Sequence, residues 1–220
     1  MNLDACKKAA GEKAAEFIQD GMIVGLGTGS TAFFFIQKLV ERCQKGLKIQ
    51  AVATSKASFE QAKKGNIPLV DINTLKTIDL CVDGADEVDP QKQLIKGAGG
   101  ALLREKIIAT MSREMVVIVD ETKLVPKLGK RPLPVEIVSF GYLSTIHQLE
   151  LLGYKGTLRR NADQSLYITD NNNLLYDIQL GPSFDQQQMV SIPGVIDTGL
   201  FLNMAGRVVI GFQDGQVVVQ

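Results

Sequence analysis

The chain has 220 residues, 45% of them hydrophobic, enough for one large α/β domain or a domain with a smaller companion. Its 24 basic and 24 acidic side chains cancel, which excludes a broad electrostatic attraction for nucleic acid or an anionic membrane and makes any anion site local. Three scattered cysteines without a CxxC pair argue against a disulfide framework or structural zinc site, and the single histidine, His147, leaves little scope for histidine-based catalysis.

The first stretch, MNLDACKKAAGEKAAEFIQDG, has an amphipathic helical pattern with acids in it, unlike a signal or transit peptide. No apolar run reaches membrane-spanning length, so a cytoplasmic protein with no membrane partner is expected. Apolar runs then alternate with helical patterns: a strand at 22–26, a helix from Thr31 to about Cys43, a strand at 48–53, a helix from Lys56 to Lys64, and a strand at 67–72. Further strands are expected at 78–82, 93–96 and 115–119, with a helix from about Gly100 to Ser112 before the last. Repeated βαβ units with short connections predict a doubly wound parallel sheet that binds its ligand at the carboxyl ends of the strands.

After GKRPLPVEIV the pattern changes. A strand at 135–138, a helix near 141–152, a hairpin within SLYITDNNNLLYDIQL, a short helix near 184–191 and the run GVIDTGLFL give a β-α-β-β-α-β order. That order predicts a smaller, ferredoxin-like α/β domain at 130–202, set into a first domain of 1–129 and 203–220. The closing hairpin, VVIGFQDGQVVV, is expected to return to the first domain.

Four places carry candidate chemistry. GLGTGST, residues 25–31, links a strand to a helix, where glycines and free helix-start N–H groups suit an anion, and Ser30 and Thr31 add hydroxyls. The dinucleotide fingerprint fails at Ser30 and the Walker pattern lacks GK[ST], so nicotinamide and nucleotide binding are disfavoured; the bland alternative is a capped turn. DGADEVD, residues 83–89, follows a buried strand, so Asp83 and Asp86 can share one mouth as proton-handling acids, as ligands of Mg²⁺ or Ca²⁺, or as a solvated turn; Glu87 and Asp89 belong to the solvated part.

Lys96 ends a short strand before GAGG, placing a cation beside backbone donors, although a surface lysine at a flexible turn would look the same. Glu105 lies between Ala101 and Ala109 on a helical wheel, away from any clean polar face, and half-burial would raise its pKa toward that of a general base; an exposed ion pair is the alternative. Lys130 and Arg131 fall at the apparent hinge, and Lys7 and Lys8 on the first helix. His147 is read as structural, and Cys81 as a small buried residue.

Taken in order, GLGTGST, DGADE, IKGAGGALLREK, LGKRPLPVE, TDNNN and IPGVIDTGLF resemble ribose-5-phosphate isomerase of the A type, through nearly the whole chain. The resemblance implies a Rossmann-like domain carrying a small α/β domain, and conversion of ribose 5-phosphate to ribulose 5-phosphate without metal or nucleotide. It implies a glutamate base at Glu105, paired aspartates at Asp83 and Asp86, and an active-site lysine at Lys96. It also implies a substrate loop at Thr28, Gly29, Ser30 and Thr31, further substrate contacts from Gly84, Ala85, Gly97, Ala98 and Gly99, a second-domain lysine at Lys130, and Lys7 near the phosphate. The chain departs from the family pattern at Ala98, where KGGG is common, and in TDNNN, which replaces a glycine-containing turn. A homodimer or homotetramer is expected. A sugar-phosphate sensor without turnover is the other reading, although it would normally carry a DNA-reading helix and a basic patch, which this chain lacks.

Overall fold

The computed structural model describes residues 2–181 and 183–220. Helix α1 (Leu3–Ala15) is capped by Asn2, whose side chain accepts from Ala5 N at 2.9 Å. It is followed by β1 (Ile23–Leu26), α2 (Ser30–Gln44), β2 (Gln50–Ala53) and α3 (Lys56–Lys64). Next come β3 (Leu80–Gly84), β4 (Glu87–Val88), β5 (Leu94–Ile95), α4 (Leu102–Met111) and β6 (Met115–Asp120). Then follow β7 (Leu133–Ile137), α5 (Tyr142–Leu151), β8 (Gly156–Leu158), β9 (Leu174–Ile178), α6 (Gln186–Val190) and β10 (Val195–Thr198). The chain closes with β11 (Leu200–Phe201), β12 (Ala205–Gly211) and β13 (Val217–Val219).

The large sheet runs β13-β12-β6-β3-β1-β2, parallel except for the β12–β13 hairpin at its edge. From β1 the chain steps to β2 on one side and then to β3 on the other, so the crevice of a doubly wound sheet opens between the carboxyl ends of β1 and β3. Alternation along the strands fixes what faces what. Val24, Leu26, Val82, Val116 and Ile118 pack against α1 and α2 through Ala10, Ala14, Phe35 and Leu39. Cys81, Val117 and Val119 face the other side, where Ile108 and Ala109 of α4 cover them. With a period of two, Asp83 shares the face of Cys81 and so looks toward α4.

The second sheet, β10-β7-β9-β8, is antiparallel throughout and is the ferredoxin-like order expected from β-α-β-β-α-β. Its own core gathers Val135, Ile137, Leu149, Tyr176, Ile178 and Met189. A third, three-stranded sheet, β11-β5-β4, packs Ile95 and Leu200 into the core of the small sheet and Leu94 and Phe201 into the layer under α4.

Several expected elements differ. The 67–72 run makes only one bridge, Leu69 to Ala51, because Pro68 has no N–H to extend the ladder; a 3₁₀ turn over Ile72–Thr74 follows. QLIK forms an antiparallel strand of the third sheet rather than a parallel strand of the first. In the expected hairpin only the second half is a strand: β9 pairs with Gly156–Leu158, while residues 165–168, which have no buried face, make isolated bridges. GVIDTGLFL splits between two sheets at Gly199, where a Cβ would lie 2.1 Å from the Lys96 carbonyl oxygen; glycine lets the backbone cross there. Glu87 is buried, not solvated, because its carboxylate accepts from Gly129 N at 2.8 Å and from Arg131 N. Asp89 stays in a turn, accepting from Gln91 N and Gln93 N. Among the described residues no helix is long and apolar enough to cross a membrane.

Candidate active site

At the β1–β3 crevice, Gly27 follows β1 and donates its N–H to Val82 O at 2.9 Å, extending the sheet by one residue. A Cβ at Gly27 would stand 2.2 Å from Asp83 Oδ1, so only glycine lets the loop and the carboxylate meet. Asp83 Oδ1 accepts from Thr28 N at 2.9 Å and from Gly84 N at 2.7 Å. Thr28 Oγ1 in turn meets Thr54 Oγ1 at 2.6 Å and Ser55 Oγ at 2.8 Å, which ties the substrate-loop candidate to the start of α3. Helix α2 begins after Gly29 without a side-chain cap, so its first N–H groups are left for an anion at the mouth.

Lys96, 2% exposed, comes in from the end of β5 and is held there by its own N–H to Gly199 O at 2.8 Å. Its Nζ lies 3.1 Å from Asp83 Oδ2 and 3.3 Å from Glu105 Oε2, donates to the Gly84 carbonyl, and sits 5.4 Å from the centre of the Phe201 ring. Burial works against the ammonium, but Asp83, Glu105 and Asp86 together outweigh it and hold its pKa above the ordinary lysine value.

Glu105, 5% exposed, sits in the first turn of α4 and is more buried than the helical wheel suggests. Burial and then the nearby Asp83 charge raise its pKa from 4.5 to about 8, with Lys96 opposing. Among the described residues Oε2 takes no well-aligned hydrogen bond, and the Lys96 ammonium, 3.3 Å away, is its one cationic neighbour. Asp83 is also raised, by burial, against the pull of Lys96 and the Thr28 amide. Two acids share one cation out of water, so the cluster favours retaining a proton near neutrality.

The cleft above this cluster is lined by Thr28, Gly29, Ser30, Thr31, Gly84, Ala85, Asp86, Lys96, Gly97, Gly99, Glu105 and Lys123. It combines a proton acceptor of raised pKa, a buried ammonium and an uncapped helix start, which are the parts needed to move a proton on a small anionic substrate.

The family pattern described as Ribose 5-phosphate isomerase A (phosphoriboisomerase A) matches residues 50–215. Ribose-5-phosphate isomerase A of Protochlamydia amoebophila (strain UWE25) is 54% identical over 218 residues, covering 97% of this chain and 94% of the relative. The same enzyme of Bacillus mycoides (strain KBAB4) is 49% identical, covering 98% of each. Among solved structures, a D-ribose-5-phosphate isomerase in complex with phospho-erythronic acid superposes with a TM-score of 0.94 at 38% identity, over 100% of this chain and 99% of the other. Ribose 5-phosphate isomerase from Plasmodium falciparum gives 0.94 at 34% identity, over 99% and 98%. The chain belongs to the ribose-5-phosphate isomerase A family.

Most residues singled out from the sequence meet at this cleft, but not all in the expected way. Asp83 is buried 3.1 Å from Lys96 and is not itself part of the lining. Ala98 is exposed, and its N–H donates to Asp86 Oδ2 at 2.8 Å, so that donor is already engaged. Arg159, paired with Asp177 at 2.5 Å, takes the carbonyls of Gly97 and Ala98 at 2.9 and 3.0 Å and so fixes the glycine loop from the small sheet. Lys130 is exposed and does not line the cleft, and Lys7 pairs with Asp4 on α1 at 3.6 Å instead of lining it.

A second lysine that reaches the cleft, besides Lys96, is Lys123, which sequence reasoning missed. It ends a 3₁₀ turn, Glu121–Lys123, that Asp120 caps by accepting from Thr122 N at 3.0 Å. Its signal was available: it follows the carboxyl end of β6, the same sheet edge that presents Asp83. His147 is exposed on α5, and among the described residues no group of three or more His, Cys, Asp or Glu side chains could hold a metal ion.

Proposed function

We propose that this cleft interconverts D-ribose 5-phosphate and D-ribulose 5-phosphate through an enediolate, with Glu105 carrying the proton. The observation that carries the reading is Glu105 itself: buried, raised to about 8, and facing the cleft beside the Lys96 ammonium with no well-aligned hydrogen bond at Oε2. In the open-chain aldose, Glu105 takes the proton from C2 and the electron pair moves through C1 onto O1. The Lys96 ammonium stabilises the oxyanion. The hydroxyl proton on O2 passes to O1, and the protonated Glu105 returns its proton to C1. Asp86, which reaches the cleft, assists ring opening, while Asp83 holds Lys96 charged and in place. The start of α2 at Gly29 to Thr31, with Lys123, takes the phosphate.

This scheme calls for no metal or nucleotide, because Lys96 supplies the positive charge at O1. Phospho-erythronic acid, bound in the neighbour described above, presents a planar carboxylate on a phosphorylated carbon chain, a shape close to the enediolate; it supports the reading and should inhibit competitively. The division into a catalytic domain of 1–129 and 203–220 and a small domain of 130–202 forms part of the same proposal, supported by the separate cores of the two sheets. So does assembly into a homodimer or homotetramer, for which Phe140, Leu143 and Leu151 on and beside α5, all well exposed, offer a face. A cytoplasmic location agrees with the three free cysteines.

The test is NMR of the purified protein with ribose 5-phosphate in D₂O containing EDTA. Ribulose 5-phosphate with solvent deuterium at C1 or C2 is expected. Saturable binding with neither product nor exchange would refute the proposal in favour of a sensor.

A further inference from the structure

Helix α4 carries the proposed base; its C-terminal end is tied to Ile78 through Met111 O at 2.9 Å, but the N-terminal turn that bears Glu105 is not held by a cap of its own. The helix is 10 residues long, follows a loop with positive φ at Gly97 and Gly100, and starts at Ala101 without a side-chain cap. The residues flanking Glu105 point elsewhere and are anchored to the small sheet. On one side Lys106 Nζ lies 2.5 Å from Asp197 Oδ1 and 2.7 Å from Thr198 O. On the other, Arg104 donates from Nε to Asn171 Oδ1 and from Nη2 to Asp170 O, both at 2.8 Å.

The turn that receives Arg104 is itself organised from within. Glu136, fully buried in β7, accepts at Oε1 from Thr169 Oγ1 at 3.0 Å, Asn171 Nδ2 at 3.1 Å and Asn173 Nδ2 at 2.9 Å. Asp170 in the same turn accepts from Lys56 N at 2.9 Å, at the start of α3, whose cap Ser55 holds Thr28 of the substrate loop. One five-residue turn therefore grips both the helix that carries Glu105 and the helix that supports Thr28.

We infer that the 169–173 turn, locked by Glu136 and latched to Arg104, is a positioning device that sets the rotation of α4 and hence the aim of Glu105. Arg104 and Asn171 do not line the catalytic cleft; together they line a separate groove with Ile72, Leu75 and Ile107, so their influence on the reaction passes through the helix. At about 6 Å from the helix axis, a roll of roughly 10° moves a carboxylate by about 1 Å. A misplacement of that size costs on the order of 10²-fold in rate.

The inference rests on Glu105 being the base, so the experiment includes Glu105→Gln beside Arg104→Met, Asn171→Ala and their double variant. Steady-state kinetics over pH and thermal melting are read for each. The expected result is a fall in kcat of roughly 10- to 100-fold in each single variant, with KM within about threefold. The midpoint of the pH–rate limb should move, and the double variant should lose no more than either single one, as for two residues acting through one contact. If Asn171→Ala does not fold, Arg104→Met, a half-exposed surface change, carries the test alone through kcat and the limb. Turnover within twofold of wild type in Arg104→Met, additive losses in the double variant, or an unmoved limb overturns the latch. If Glu105→Gln is inactive in that case, the base assignment survives; a Glu105→Gln that turns over normally overturns the base assignment and this inference with it.

Discussion

Replacing Glu105 by glutamine separates what the carboxylate does for the reaction from what it costs the fold. The side chain keeps its volume but can no longer accept a proton, and general acid–base groups contribute typically about 10² to 10⁴ in rate, so turnover should fall at least 10²-fold. The stability effect has the opposite sign. The folded pKa of Glu105 is raised from 4.5 to about 8, so the folded state binds its proton more tightly than the unfolded chain does. Its contribution is fully present below about pH 4.5 and is lost as pH rises through 8. At about 1.4 kcal/mol per factor of ten, this bounds the loss at on the order of 5 kcal/mol, reduced where Asp83 shares the proton. Between pH 5 and 8 the wild-type melting temperature should therefore decline more steeply than that of Glu105→Gln, and the variant should be the more stable protein at pH 8. In the active enzyme kcat/KM should rise with pH toward 8 as Glu105 ionises. Parallel melting curves for the two proteins would refute the raised pKa. Turnover within tenfold of wild type would refute the base.

Other perturbations test the surrounding parts. Lys96→Met leaves Asp83 and Glu105 buried without their cation, so it should abolish turnover and destabilise the fold by about 3–5 kcal/mol at pH 8, with a smaller deficit at pH 5, where Glu105 is protonated; denaturant titrations at the two pH values check this. Lys123→Met should raise KM for ribose 5-phosphate on the order of tenfold, the worth of one charge-assisted hydrogen bond, and an unchanged KM would remove Lys123 from phosphate binding. Gly27→Ala puts a Cβ 2.2 Å from Asp83 Oδ1, so it should cost about 1–3 kcal/mol in a urea melt together with most of the activity.

What the sequence disclosed follows from which constraints are local. The first βαβ units, the position of Asp83 near the end of β3 and the absence of a polar face for Glu105 are all written in a few adjacent residues, and they led to the right strands and to an inward-facing Glu105, though one more buried than expected. Pairings between distant segments were less legible. Nothing local says that β9 takes Gly156–Leu158 as its partner instead of the 165–168 run, or that Gly199 turns the chain from one sheet into another beside Lys96. Glu87 looked solvated because its donors, Gly129 N and Arg131 N, lie more than forty residues away. The basic residue of the mouth was sought at the hinge, at Lys130, whereas the sheet-edge rule applied to β6 leads to Lys123.

The same long-range contacts explain how so strained a charge cluster is held. Asp83 comes from the large sheet, Lys96 from the three-stranded sheet and Glu105 from α4, so no single element can relax the cluster by moving alone. Asp83 is fixed by the Thr28 and Gly84 amides, and Lys96 by the Gly84 carbonyl and its own bond to Gly199. Glu105, by contrast, has no well-aligned hydrogen bond at Oε2, and its pKa rises to about 8. Burial raises the pKa of both acids, but of the two Asp83 is the one tied down by backbone amides, which leaves Glu105 to exchange the proposed proton, and the apolar packing of β3, β6 and α4 supplies the stability that holds it there.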